Sequence, residues 1–187
     1  MADARDRQIK EAVVRRYSEV ARSSERCCDA TCSPQDVSTF GSRPLYTRDE
    51  IAALPSDAVT ASAGCGNPAA LAALKSGETV LDLGSGGGID CFLAARAVGP
   101  EGKVIGVDMT PDMVNLARAN AVKLEMSNVE FHLTDMEHTP IDSGSVDVVI
   151  SNCVICLAPN KDSVFQEAFR ILRPGGQVFF SDMVLVE

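Results

Sequence analysis

The chain has 187 residues, enough for one domain with a sizeable core plus a short extension. Its formal net charge of −9, carried without any basic cluster, argues against nucleic acid or an anionic membrane surface as the main partner. No apolar run approaches the ~18 residues of a membrane span, and the charged start Met1-Ala-Asp-Ala-Arg-Asp-Arg-Gln8 is not a secretory signal.

In chain order, Ile9, Val13, Tyr17 and Val20 recur at helical spacing and predict an amphipathic helix over 5–21. Residues 22–68 read as irregular, with Cys27, Cys28, Cys32, four prolines and Gly64-Cys-Gly66. A short Ala/Leu-rich helix from Asn67-Pro68 leads to a turn at Lys75-Ser-Gly-Glu78. Strands follow at 79–83, 103–108, 129–133, 146–150 and 177–183. Helices are expected at 88–98, 111–126 and 162–172, with only a loop or short turn after the third strand. Thr110-Pro111 reads as an N-cap followed by proline at the first helical position. Arg173-Pro-Gly-Gly176 stops the last helix. Such alternation makes an α/β fold with a mostly parallel, doubly wound sheet, right-handed crossovers and helices on both faces. The expected division is an N-terminal helix and cysteine-bearing segment over 1–75 and a core over 76–187.

Ligands in these sheets sit beyond the carboxyl ends of the strands. There the run Val80-Leu-Asp-Leu-Gly-Ser-Gly-Gly-Gly88 breaks from apolar into glycine, and Asp108 follows twenty residues after Gly88. Gly84, Gly86 and Gly88 are spaced G-x-G-x-G. A dinucleotide fingerprint would need its third glycine at Ile89. With Asp82 inside the strand and Asp108 ending the next one, the pattern resembles the S-adenosylmethionine-dependent methyltransferases rather than the NAD enzymes. The fold implied is the Rossmann-like class I methyltransferase fold. For an S-adenosyl-L-methionine cofactor, the glycine loop and the following helix start offer N–H groups to the carboxylate of its amino-acid tail. Asp82 would compensate the ammonium group, Asp108 would take the ribose hydroxyls, and Met109 would pack on the adenine. Thr134 and Asp135, after the third strand, would reach the adenine amine. Asn152, on the same rim, completes the expected cofactor set.

Seven cysteines, an odd number with no export signal, argue against a disulfide framework and for free thiols in a reducing cytoplasm. Cys91, one turn into a helix, reads as a small buried hydrophobe. Ser151-Asn-Cys-Val-Ile-Cys156 instead puts thiols on the rim, and Cys65 stands between glycines in an exposed turn. Soft thiolates gathered there suit a thiophilic acceptor. Zinc is disfavoured: there is no second C-x-x-C pair, and His132 and His138 are not at finger spacing. A thioredoxin-like redox pair is disfavoured as well, since that motif sits in a different pattern.

From about residue 8 to the end, the chain resembles the arsenite S-adenosylmethionine methyltransferases. The matching elements are Gly64-Cys-Gly-Asn-Pro68, Asp82-Leu-Gly-Ser-Gly86, Asp90-Cys-Phe-Leu-Ala-Ala-Arg96, Val104-Ile-Gly-Val-Asp-Met109, Ser151-Asn-Cys-Val-Ile155 and Arg173-Pro-Gly-Gly176. The resemblance implies that Cys65 and Cys153 bind trivalent arsenic. One of Cys27, Cys28 and Cys32, with Cys28 or Cys32 favoured, would exchange disulfides with Cys65. It also implies arsenite or its thiol complexes as substrate, and an external thiol reductant such as glutathione or a thioredoxin-like protein. The family has a further arsenic-binding cysteine after its fifth strand, a region this chain does not reach. Cys156, where the family more often has asparagine, is a candidate substitute thiol or a buried core residue. The chain ends in the apolar stretch Val178–Glu187, so the usual last strands are expected to be lacking. That leaves a bare edge and either a monomer or an edge-paired dimer. Three functions compete: arsenite methylation, methylation of a small organic acceptor with incidental cysteines, and arsenite or cofactor binding without turnover. The first is the expectation carried forward.

Overall fold

The computed structural model describes residues 4–22, 39–40, 43–44, 46–62 and 64–183, so Cys27, Cys28 and Cys32 lie outside the described residues. Five strands form one parallel sheet: β1 Thr79–Leu83, β2 Lys103–Asp108, β3 Val129–Leu133, β4 Val146–Asn152 and β5 Leu172–Ser181. Their order is β3-β2-β1-β4-β5. Chain direction across the sheet therefore reverses between β1 and β4, and a crevice opens beyond their carboxyl ends. This is the doubly wound, Rossmann-like architecture expected from the sequence.

The central strands are mostly apolar on both faces because helices cover both, with Asp82 and Asp147 as buried exceptions. One face buries Val80, Val104, Val148 and Ile150 with Phe92 and Phe131. The other buries Leu81, Leu83, Ile105, Val107 and Val149 with Ile171. Among the described residues seven α-helices accompany the sheet: α1 Ala4–Arg22, α2 Arg48–Ala52, α3 Ser56–Thr60, α4 Pro68–Leu71, α5 Ile89–Val98, α6 Pro111–Lys123 and α7 Lys161–Ile171. None of the described helices is long and apolar enough to cross a membrane. Helix α5 is buried on nearly every side, which explains a sequence too apolar for a clear amphipathic stripe. Helix α1 packs on α6, with Val20 buried against Met113. Lys10 Nζ pairs with Asp135 at 2.5 Å and Glu137 at 2.8 Å, while Arg22 pairs with Asp112 at 2.8 Å.

Several sequence expectations need correction. The stretch read as irregular contains α2 and α3. A reciprocal cap starts α2, in which the Thr47 hydroxyl accepts from Glu50 N–H and the Glu50 carboxylate accepts from Thr47 N–H. Helix α6 ends at Lys123 rather than 126, with Glu125 turning into the left-handed region at φ +53°. Thr110 occupies the cap position of α6, but its side chain makes no capping bond; its backbone N–H donates to Asp108 instead. Strand β4 runs two residues further than expected. Strand β5 starts at Leu172, because Val146 pairs with Leu172 and Val148 with Gln177 while Arg173–Gly176 bulges between them.

Among the described residues β5 has one neighbour, β4, and is an edge. Phe180 is 50 % exposed and touches Phe165 of α7 edge-on at 5.8 Å between ring centroids; Phe169 is 82 % exposed.

Candidate functional site

Beyond the carboxyl ends of β1, β2 and β4 lies an open cleft. Its floor is the glycine turn after β1. The N–H groups of Gly84 and Ser85 both donate to Val107 O, at 2.8 and 2.9 Å, clamping the turn onto β2. A Cβ at Gly84 would strike the Val154 side chain at 2.7 Å, so only glycine lets the chain after β4 lie this close. The Asp108 carboxylate accepts from Gly86 N–H at 3.0 Å and from Thr110 N–H at 2.8 Å. Burial pushes its pKa up, and these N–H groups pull it back.

Gly84, Gly86, Asp108, Met109, Thr134, Asn152 and Cys153 all line the cleft, as the sequence suggested. Three other expected cofactor residues do not. Asp82 shares the β1 face of Val80 and points at α5, where the Cys91 thiol donates to its Oδ2 at 3.2 Å. It is 2 % exposed, and burial together with the charge of Asp90 raises its pKa well above the carboxylate range. Gly88 is the N-cap of α5 at φ +94°, where a Cβ would meet the Phe92 ring at 2.7 Å; it sets the helix against the sheet. Asp135 is held by Lys10 and accepts from Glu137 N–H at 3.0 Å.

Two residues that the sequence reading passed over belong to the site. Asp90, in the first turn of α5, lines the cleft although it is only 4 % exposed. Tyr46 O–H donates to its Oδ1 at 3.0 Å and Asn152 Nδ2 donates to its Oδ2 at 2.9 Å. Burial lifts the Asp90 pKa to about 6 against those two bonds. Burial and the charge of Asp90 push the Tyr46 pKa well up. An acidic residue opening the helix after a glycine turn was a usable signal for Asp90; Tyr46 had none. Val13 and Tyr17 of α1 close one side of the cleft.

Cys65 and Cys153 stand together, bonded as a disulfide with their Cα atoms 5.8 Å apart. The expectation that both are free thiols is therefore corrected. The turn carrying Cys65 is hydrogen-bonded to Asn152, so the 88-residue separation in sequence collapses to one contact. Cys91 and Cys156 are free. Cys156 is half-buried at the rim rather than in the core, its N–H donating to Asp182 Oδ2 at 3.0 Å. Burial, then Asp182, lifts its pKa to about 11, which keeps it a thiol at neutral pH.

Residues 74–187 match the family model described as a methyltransferase domain. The chain belongs to the class I S-adenosylmethionine methyltransferases. Over 98 % of its length it is 48 % identical to the arsenite methyltransferase of Halobacterium salinarum, covering 49 % of that protein. Human arsenite methyltransferase is 34 % identical over 98 % of this chain and 50 % of its own length. Among solved structures, the arsenic (III) S-adenosylmethionine methyltransferase from Chlamydomonas reinhardtii gives a TM-score of 0.67 at 41 % identity. That match covers 72 % of this chain and 48 % of the other. The chain thus spans about half the length of the curated relatives it matches.

The family cofactor is S-adenosylmethionine, and the cleft fits it. Ser85 Oγ is buried with no partner among the described residues, and the residue lines the cleft. A Cβ on Gly86, at φ +51°, would meet only open space. An orphaned hydroxyl beside a bare backbone is what a polar ligand lying on the turn would complete.

Proposed function

We propose that the protein methylates trivalent arsenic, with S-adenosylmethionine as methyl donor and with Cys65 and Cys153 as the thiolates that hold the arsenic. The observation that carries this reading is the meeting of two cysteine sulfurs at the rim of the cofactor cleft, with Cys153 itself in the lining. When bound, the sulfonium cofactor supplies an electrophilic methyl group. The first-turn N–H groups of α5, which have no helical partner, would be offered to its carboxylate, Asp108 would accept from the ribose hydroxyls, and Met109 would pack on the adenine. Asp90, not Asp82, is the lining carboxylate that balances the ammonium group.

An external dithiol, or two molecules of glutathione, reduces the Cys65–Cys153 bridge and leaves as the disulfide. The two thiols then displace two hydroxides of arsenite as water. Trivalent arsenic keeps a lone pair and has no proton to lose, so attack on the methyl group needs no general base. The protein's contribution is positioning plus exclusion of water. In this reading residues 1–75 bring Cys65, with Cys28 or Cys32 as its exchange partner, to a catalytic core over 76–187.

The test is incubation with labelled S-adenosylmethionine, arsenite and glutathione, followed by separation of arsenic species and mass detection. Methylated arsenic that disappears in Cys153→Ser and Cys65→Ser supports the reading. Full activity of both variants on an organic acceptor refutes it. Stoichiometric arsenite binding without product refutes it as well, and identifies a metalloid-binding unit instead.

A further inference from the structure

The last residue of β4 has more polar partners than any neighbour on the rim. Asn152 Oδ1 accepts from Cys65 N–H at 2.9 Å and from Gly66 N–H at 3.1 Å. Its Nδ2 donates toward Gly66 O at 2.8 Å, Asp90 Oδ2 at 2.9 Å and Tyr46 Oη at 3.1 Å, two hydrogens serving three acceptors. Among the described residues, the long-range backbone hydrogen bonds of Cys65 and Gly66 all end on this one side chain. The turn lies so close that a Cβ on Gly64 would stand 2.8 Å from Asn152 Cγ.

We propose that Asn152 is the positioning residue of the thiol pair. Its amide fastens the Cys65 turn to the end of β4, where Cys153 follows, and Asp90 fixes which way that amide faces. The proposal borrows from the arsenic reading only the purpose of the pair; the placement of the two sulfurs stands without it.

The other half of the pair needs no such help. Cys153 N–H donates to Ser181 O at 2.8 Å, and its backbone is set in the left-handed region at φ +56°. Cys65 arrives from a turn before the single-turn helix α4, far away in sequence; its sulfur reaches Ser181 Oγ at 3.8 Å, but the backbone that carries it is tied to Asn152. That tie has a direction. Rotating the amide by half a turn would aim Oδ1 at the Asp90 carboxylate and Gly66 O, and would aim Nδ2 at two N–H donors. Four favourable contacts would become repulsive. Asn152→Asp therefore loosens the turn although the side chain keeps its size, because its second oxygen would face Asp90 and Gly66 O.

The experiment measures how readily Cys65 and Cys153 pair in the full chain. The 65–153 bridge is equilibrated against glutathione redox buffers and quantified by peptide mass mapping, which gives an effective concentration of one thiol for the other. Binding of phenylarsine oxide, which takes two thiols, is measured beside it, with single-thiol alkylation rates of Cys65 as the control. Folding is checked by circular dichroism. Asn152→Ala and Asn152→Asp are each expected to lower the effective concentration at least tenfold. Phenylarsine oxide affinity should drop to that of Cys65→Ser, while alkylation stays within a factor of three. A residue that only supported the fold would leave the pairing equilibrium of folded protein unmoved.

Effective concentrations within twofold of the parent in both variants overturn the proposal. Should Asn152→Ala fail to fold, Gly64→Ala pushes on the same amide from the other side and is read in the same way. The pairing assay contains no arsenic. A parent that pairs its thiols through Asn152 yet makes no methylated arsenic refutes the function and leaves the positioning role intact. The reverse outcome refutes only the positioning role.

Discussion

Reducing the bridge between Cys65 and Cys153 removes a cross-link that closes a loop of 88 residues. In the chain-entropy account, a loop of that length restrains the unfolded ensemble by about 4–5 kcal/mol at 25 °C. Unfolding entropy of roughly 2 cal/mol/K per residue, over the whole chain, converts this into a fall in Tm of about 10 °C on reduction. The assay is thermal unfolding followed by circular dichroism, with and without excess phosphine reductant, and with peptide mapping of the bridge in the starting sample. Cys65→Ser and Cys153→Ser should melt like the reduced parent and should not respond to reductant. Two results refute the reasoning. One is a mapped 65–153 bridge whose reduction moves Tm by less than about 2 °C, which would mean the unfolded chain gains no freedom from its loss. The other is oxidised protein in which Cys65 and Cys153 are bonded elsewhere, which would refute the geometry.

Gly88→Ala should cost about 3 kcal/mol, from left-handed backbone and from the clash with Phe92, whereas Gly86→Ala should cost about 1 kcal/mol yet weaken S-adenosylmethionine binding. Denaturant unfolding and calorimetric titration check this, and the opposite ordering refutes it. Because the pKa of Asp90 is raised to about 6, its contribution to stability is full below about pH 4 and lost as pH rises through 6. Asp90→Asn should therefore flatten the pH dependence of the urea midpoint between about pH 4 and 6, and an unchanged slope counts against it. Glu167 has the opposite sign. The Arg170 guanidinium, then bonds from Thr139, hold its pKa down to about 2, so its stabilisation is present above about pH 4.5 and lost as pH falls toward 2. Since its partner Arg170 is partly exposed, Glu167→Gln should cost on the order of 1 kcal/mol at pH 7 and little at pH 2. A cost that persists at pH 2 would point to packing instead.

The sheet was legible because the central strands, covered on both faces, are mostly apolar between turn residues, with single acidic breaks at Asp82 and Asp147, and the edge strand β3 alternates as Val-Glu-Phe-His-Leu. β1, β2 and β3 begin and end where those patterns do. The run signal faded at β4, whose last two residues are the polar Ser151 and Asn152, held by bonds to Leu83 O and to the Cys65 turn. At the site, residues whose backbone position settles their role were readable: Gly84, Gly86 and Asp108 lie where a strand must end. Roles set by a partner far along the chain were not. Asp82 looked available for a ligand until the alternation of β1 turned it toward Cys91. Asp135 looked free until Lys10, 125 residues away, claimed it. Asn152 was visible as a rim residue, but its grip on Cys65 depends on an approach that no local pattern encodes.

Cys153 is one of three non-glycine residues at positive φ among those described. A β-carbon in that region costs roughly 1–2 kcal/mol. Replacement by glycine would relieve the strain while deleting the sulfur, so under reductant, where no cross-link is at stake, a screen for thermostability alone should enrich Cys153→Gly, whereas in the oxidised chain the lost cross-link outweighs the relief. The position separates two selective pressures within a single codon. In a library sorted first for heat resistance under reductant and then for arsenical binding, its residue frequencies should swing from glycine back to cysteine.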